Sequence, residues 1–326
     1  MPASVPEGWF IAARDVERRD DPVVQALFAE AGAAVPPGFA NEDVIAMLPR
    51  RRSDGQCRLC GATGPLTKEH VPPKASGNSQ TGRSHSYGDW LDRTELGKLP
   101  GGQVEQGGIF GFTLCRSCNS FTGRKYGAAY RDWALAAEAL LAELPHPLQL
   151  DKSIDTLGWP LKVGSKEDGG LSAGAFVRQV LSCFCTLSGT WNLAERQPAI
   201  RRIVLEQSVE LLPPGIELGM SLYFGPNGRM VGPSLMVDPD PGEWRWVMEM
   251  AYPPFAFILV LASNVAEPGL GLLMNDFVTL PPAAKQQFEG IARVGFGWSP
   301  YPGDYPSRGQ IEAERQRQAH RGVQGR

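Results

Sequence analysis

Hydrophobic and polar positions along this chain follow two rhythms, one of helical and one of strand period. Asp21-Pro22 reads as a helix start, after which Val23, Val24, Leu27 and Phe28 make one apolar stripe running to Ala33. Asn41 caps a second short helix holding Val44, Ile45 and Leu48. Ala128 to Leu144 is dominated by Ala, Leu and Glu, strong helix formers, and Pro145 stops it. Ala175 to Leu187 repeats the pattern with Phe176, Val180, Phe184 and Leu187, and Pro198 opens a further helix with Ile200, Ile203, Val204 and Val209 inward. Strand signals fill the rest. Gly107 to Leu114 alternates weakly, with Ile109 and Phe112 inward. Ile216 to Phe224 and Met230 to Val237 flank Pro226-Asn227-Gly228 and read as two strands across a turn. Trp244, Trp246, Met248 and Met250 alternate with Arg245 and Glu249, and Phe255 to Ala262 forms a more buried strand.

These elements predict an α+β chain: a helical segment over 1–50, a site-bearing unit over 51–145, an accessory α+β domain with an antiparallel sheet over 146–310, and a polar basic tail over 311–326. A length of 326 residues suits two core-bearing units, and 42% hydrophobic with 21% charged residues is a globular composition. The longest apolar run, Phe255 to Ala262, falls far short of the roughly 20 residues of a spanning helix, which speaks against a membrane protein. Met1 to Arg14 has no secretory pattern, so a cytoplasmic setting with reduced cysteines is expected. The net charge of −3 hides an asymmetry. From Arg50 to Asp132 stand 13 Lys and Arg against 7 Asp and Glu, a balance of +6; elsewhere 19 face 28, a balance of −9.

The basic segment also holds two knuckles, Cys57-Arg-Leu-Cys60 and Cys115-Arg-Ser-Cys118. Two-residue spacing lets both thiolates of a knuckle reach one ion, and four thiolates complete a closed tetrahedral site, so Cys57, Cys60, Cys115 and Cys118 are expected to hold structural zinc. The long, polar separation between the knuckles, richest in Gly and Ser from Thr81 to Gly108, reads as an insertion. Cys183 and Cys185, two apart on a helix, cannot pinch one metal and are read as core. Trp244 and Trp246 are read the same way.

Thr67-Lys-Glu-His-Val-Pro-Pro-Lys74 follows the first knuckle, and Asn119 follows the last cysteine directly. Over about Cys57 to Tyr130 the chain resembles the HNH nuclease family, in its branch with EHxPP between two zinc knuckles and CxxCN at the second. The resemblance implies a ββα-metal unit: His at the end of one strand, a loop, a second strand, then a helix. It implies His70 as general base, Glu69 and Asn119 as ligands of a catalytic magnesium or manganese ion, and thiolate-bound zinc as a brace. Phosphodiester hydrolysis needs such a base and such a cation. Lys74, Arg124 and Lys125 are candidate phosphate contacts, with Arg116 and Arg131 nearby. His85, His146 and His320 carry no assigned chemistry.

One family position has no clear counterpart. The middle Asn, which orients the catalytic His, is missing from Gly107 to Leu114, and spacing does not choose among Asn78, His85, Gln103 and Gln106. The expected function is a metal-dependent endonuclease acting on nucleic acid, DNA first. The resemblance adds a setting in bacterial restriction or phage defence, and an accessory domain that recognises substrate, binds a regulatory partner or assembles copies of the chain. The rival expectation is a catalytically weak or inactive zinc module that binds nucleic acid or a partner protein.

Overall fold

The computed structural model describes residues 48–84, 103–142, 156–160, 170–223, 229–238, 242–264, 272–285 and 291–295. The helices expected before Leu48, His85, His146 and the basic tail lie outside the described residues. The chain is mixed α and β with antiparallel sheets.

The first unit is a three-stranded sheet closed by a helix. Strand β1 (Asp54–Gln56) pairs antiparallel with β2 (Thr63–His70). The insertion begins and ends in a small two-stranded ribbon, β3 (Gly82–Ser84) against β4 (Gln103–Glu105). Strand β5 (Phe110–Cys115) then returns along β2, with His70 opposite Phe110 and Glu69 opposite Gly111. Helix α1 (Arg116–Ala142) starts without a connecting loop. It begins earlier than its Ala-rich stretch suggested, so Cys118 sits in the first helical turn and Cys115 is the last strand residue. Ile109 and Phe112 are half-buried; the buried residues of this strand are Gly111, Thr113 and Leu114.

The second unit is built around α2 (Ala173–Leu187), whose residues are all buried and whose first turn is capped by the Ser172 hydroxyl accepting from the Ala175 N–H at 3.2 Å. A pair of strands, β6 (Thr156–Pro160) and β12 (Ile291–Gly295), forms a separate two-stranded sheet. Two short helices, α3 (Leu193–Arg196) and α4 (Pro198–Arg201), lead into a wide π-turn over Arg202–Glu206. Ile200, Ile203 and Val204 face inward as the spacing predicts. Val209 does not: it is 55% exposed, because the chain leaves the helix at Gln207, a non-glycine residue with φ of 58°.

Five strands form the main sheet: β7 (Glu217–Leu222), β8 (Arg229–Asp238), β9 (Glu243–Tyr252), β10 (Phe255–Ser263) and β11 (Leu272–Leu273), in the order β11-β7-β10-β9-β8. β7 and β8 are therefore not a hairpin. β10 is the most apolar strand and takes the centre between β7 and β9, while β8 pairs along β9. Trp244, Trp246, Met248 and Met250 are buried on one face of β9, and Cys183 and Cys185 are buried thiols in α2.

One apolar core runs through both units, from Cys57, Leu59 and Leu66 to Phe176, Met248 and Phe257. Helix α1 carries it across. Its far half stacks Trp133 on Phe176 with centroids 4.7 Å apart, and Tyr130 meets Phe255 and Phe257. The Tyr126 hydroxyl donates to the Val204 carbonyl at 2.6 Å. Fully buried Arg178 of α2 donates to the carbonyls of Gly174, Ile203, Ser208, Val278 and Leu280 at 2.7 to 3.0 Å, tying three segments together. Among the described residues, no helix is long and apolar enough to cross a membrane.

Candidate functional site

The four cysteines of the knuckles converge. Their sulfur atoms all lie within 4.8 Å of one another, with Cys60 and Cys115 3.8 Å apart. Cys57 and Cys60 stand on the turn after β1, closed by the Cys57 N–H donating to the Ala62 carbonyl and the Gly61 N–H donating to that of Cys57. The hydrogen bond from Cys118 pulls the Cys57 thiol down to about 4, and the backbone N–H groups of Cys60, Cys115 and Leu59 act in the same direction. Cys118 and Cys60 are pushed up, Cys118 by that same hydrogen bond and Cys60 by burial. Four thiols converging at this spacing form the ligand set of a closed thiolate metal site. Among the described residues it is the one group of three or more His, Cys, Asp or Glu side chains close enough to hold a metal ion.

On the same sheet, β2 delivers two adjacent residues to opposite faces. Glu69 points inward and is 7% exposed, with no hydrogen-bond or ion-pair partner among the described residues. Burial pushes its carboxyl up to about 8. His70 points outward, half-buried, with its Nε2 3.0 Å from the Gly107 carbonyl oxygen. A carbonyl can only accept, so Nε2 carries the proton, and Nδ1 of the neutral ring is an acceptor with no donor among the described residues. Burial lowers the His70 pKa; the Gly107 bond opposes this, and the Lys68 and Lys74 charges reinforce it.

The loop that supplies this carbonyl is stapled by one side chain. Asn78 is fully buried. Its amide nitrogen donates to the Pro72 carbonyl at 2.6 Å and to that of Ile109 at 2.8 Å, and its oxygen accepts from the Ile109 N–H at 2.6 Å. Asn78 thus ties the segment after His70 to the residues just before β5. Gly107 and Gly108 have φ of 78° and 83°, and a Cβ on Gly108 would stand 2.4 Å from two oxygens of Asn78. Of the candidates for the orienting amide whose side chains are described, Asn78 is the one the fold brings beside His70's anchor. Gln106 is exposed, and His85 lies outside the described residues.

Asn119 lies in the first turns of α1, next to Cys118. Its amide nitrogen donates to the Thr67 hydroxyl at 3.0 Å and the Lys68 carbonyl at 2.8 Å, so it straps the helix to β2 and leaves its Oδ1 without a donor among the described residues. Lys74 is exposed, in a short 3-10 turn over Lys74–Ser76 directly after His70-Val-Pro-Pro. Arg124 and Lys125 are exposed on α1, where the Arg124 Nε donates to the Ser120 carbonyl at 3.1 Å.

No protein-family model, no curated protein and no solved structure matches the chain.

Two residues not singled out in the sequence share the outer face with His70. Lys68 is two residues before it, and strand period alone would have placed both on one side. Phe110 is its partner across the β2–β5 pair, with ring centroids 5.8 Å apart. Arg50 donates to the Phe110 carbonyl at 2.8 Å.

Proposed function

We propose that this chain is a metal-dependent endonuclease of the HNH kind, hydrolysing phosphodiester bonds in nucleic acid, with DNA the first substrate to try. The observation that carries the reading is His70, at the end of β2, with Nε2–H engaged by the Gly107 carbonyl and Nδ1 as the acceptor of a proton. It stands on a strand–loop–strand–helix unit whose other face holds the buried Glu69 carboxyl.

The cysteine cluster fits structural zinc. Thiolates at the corners of a tetrahedron with Zn–S of about 2.3 Å stand about 3.8 Å apart, the separation of Cys60 and Cys115. The second ion rests on fewer ligands. As the resemblance implies, Glu69 and Asn119 would hold magnesium or manganese, with water and phosphate in the remaining positions. When bound, it supplies charge neutralisation at the scissile phosphate and the leaving oxygen.

The chain's own residues do the rest. His70 Nδ1 accepts a proton from the attacking water, while the Gly107 bond holds the ring in that orientation and tautomer. Asn78 takes the part of the family's orienting amide by fixing the loop, not by touching the ring. The lowered His70 pKa keeps the base neutral near neutral pH.

Zinc-loaded protein incubated with supercoiled plasmid and magnesium or manganese is expected to nick it. Glu69→Gln should abolish nicking while keeping the zinc. Absence of nicking of DNA or RNA with either metal overturns the reading and leaves the zinc-braced binding module.

A further inference from the structure

The outer face of the β2–β5 pair carries an arranged cation beside His70. Lys68 Nζ stands 3.8 Å from the Phe110 ring centroid, and the Arg50 guanidinium carbon 4.5 Å from the same centroid. Phe112 meets Phe110 edge-on at 6.3 Å, so the ring that holds both cations is itself held. Lys68 Nζ also lies near Gly107, 3.5 Å from where a Cβ would be, which puts the ammonium next to the residue that anchors His70. Positions 68, 70, 110 and 112 share this face, and none of them is acidic. Lys68 and Lys74 have no carboxylate partner among the described residues.

A lysine free in solvent loses considerable side-chain entropy when it binds an anion. Lys68 loses less, because the aromatic face already restrains it. We propose that Lys68, seated on Phe110, is a phosphate-binding subsite that grips the nucleic-acid backbone next to the bond facing His70, Phe110 acting as its positioning residue and as an apolar wall for the neighbouring sugar. This rests on the nuclease reading above. It adds the substrate contact nearest the base. The contacts suggested by Lys74, Arg124 and Lys125 serve more distant phosphates.

The test uses full-length, zinc-loaded His70→Ala protein, so that binding is read without cutting, with fluorescein-labelled single-stranded and duplex oligonucleotides followed by anisotropy over a salt series. Adding Lys68→Gln is expected to weaken binding roughly five-fold or more and to lower the salt slope by about one. Lys68→Arg should restore both. Phe110→Leu should weaken binding while Phe110→Tyr retains it. Equal affinity and equal slope in His70→Ala with and without Lys68→Gln overturns the subsite, even where the wild type cuts. No binding by the His70→Ala protein, with no cutting by the wild type, overturns the subsite together with the nuclease reading. Zinc content and melting temperature of each variant exclude misfolding as the cause of a loss.

Discussion

Asn78 makes three hydrogen bonds with one side chain, and every one is to backbone of the two segments that bracket the candidate base. Replacing it by Ala takes the side-chain partner from the Ile109 N–H and the Pro72 carbonyl, while the Ile109 carbonyl keeps the Val71 N–H, and lets Gly107 drift from His70. A misplacement of about 1 Å costs on the order of 100-fold in rate, so Asn78→Ala should lose about that much cutting while zinc content stays unchanged. Gly108→Ala, which drives a Cβ into Asn78, should do the same. The sequence put Asn78 among four candidates and went no further, because the contact is made across the insertion and has no local signature. Glu69 leads to a pH prediction. Its carboxyl is raised from 4.5 to about 8 by burial. Between those values the unfolded chain releases a proton that the folded chain keeps, so the stability of protein without added magnesium falls as pH rises from about 5 to 8 and levels above. Thermal melts over that range should show the fall, Glu69→Gln should flatten it, and magnesium at pH 8 should restore melting temperature in the wild type only.

Helix α1 is the element that joins the two units. Its first turn supplies Cys118 and Asn119, and its later turns supply Tyr126, Tyr130 and Trp133 to the shared core. The motif residues at its start were legible in the sequence, since C-x-x-C spacing reports a local constraint. The helix boundary was not: Arg116 to Arg124 contains Ser, Asn, Thr and Gly, weak helix formers that tertiary contacts override. A metal brace at such a junction should be essential to the local fold. Chelation of zinc, or Cys115→Ser, is expected to raise amide hydrogen exchange in β2, β5 and the first turns of α1 more than in β9 and β10. Uniform exchange across both units would contradict a local brace.

At the scale of the whole molecule, the site unit and the main sheet share one core, although the sequence pattern divided the chain at 145, where Pro145 stops a helix. The helices and strands of the second half were largely legible from period alone. Strand order was not: β7 and β8 looked like a hairpin, yet the central place went to the most apolar strand, which only the packing of the full sheet decides. Arg178 was equally hidden, since one cation in an apolar helix does not announce five carbonyl partners. Arg178→Met should destabilise the fold by roughly 3 kcal/mol or more, read by urea denaturation, because it strands buried carbonyls from three segments. The sheet also reaches the site, through the Tyr252 hydroxyl donating to the Gly77 carbonyl at 3.2 Å, next to Asn78.

The most direct test compares plasmid cleavage by wild type and His70→Ala at matched zinc content and melting temperature, with magnesium or manganese present. Metal-dependent cutting by the wild type and a loss of roughly 100-fold or more in the variant are expected. Cutting by His70→Ala at the wild-type rate would contradict His70 as the base.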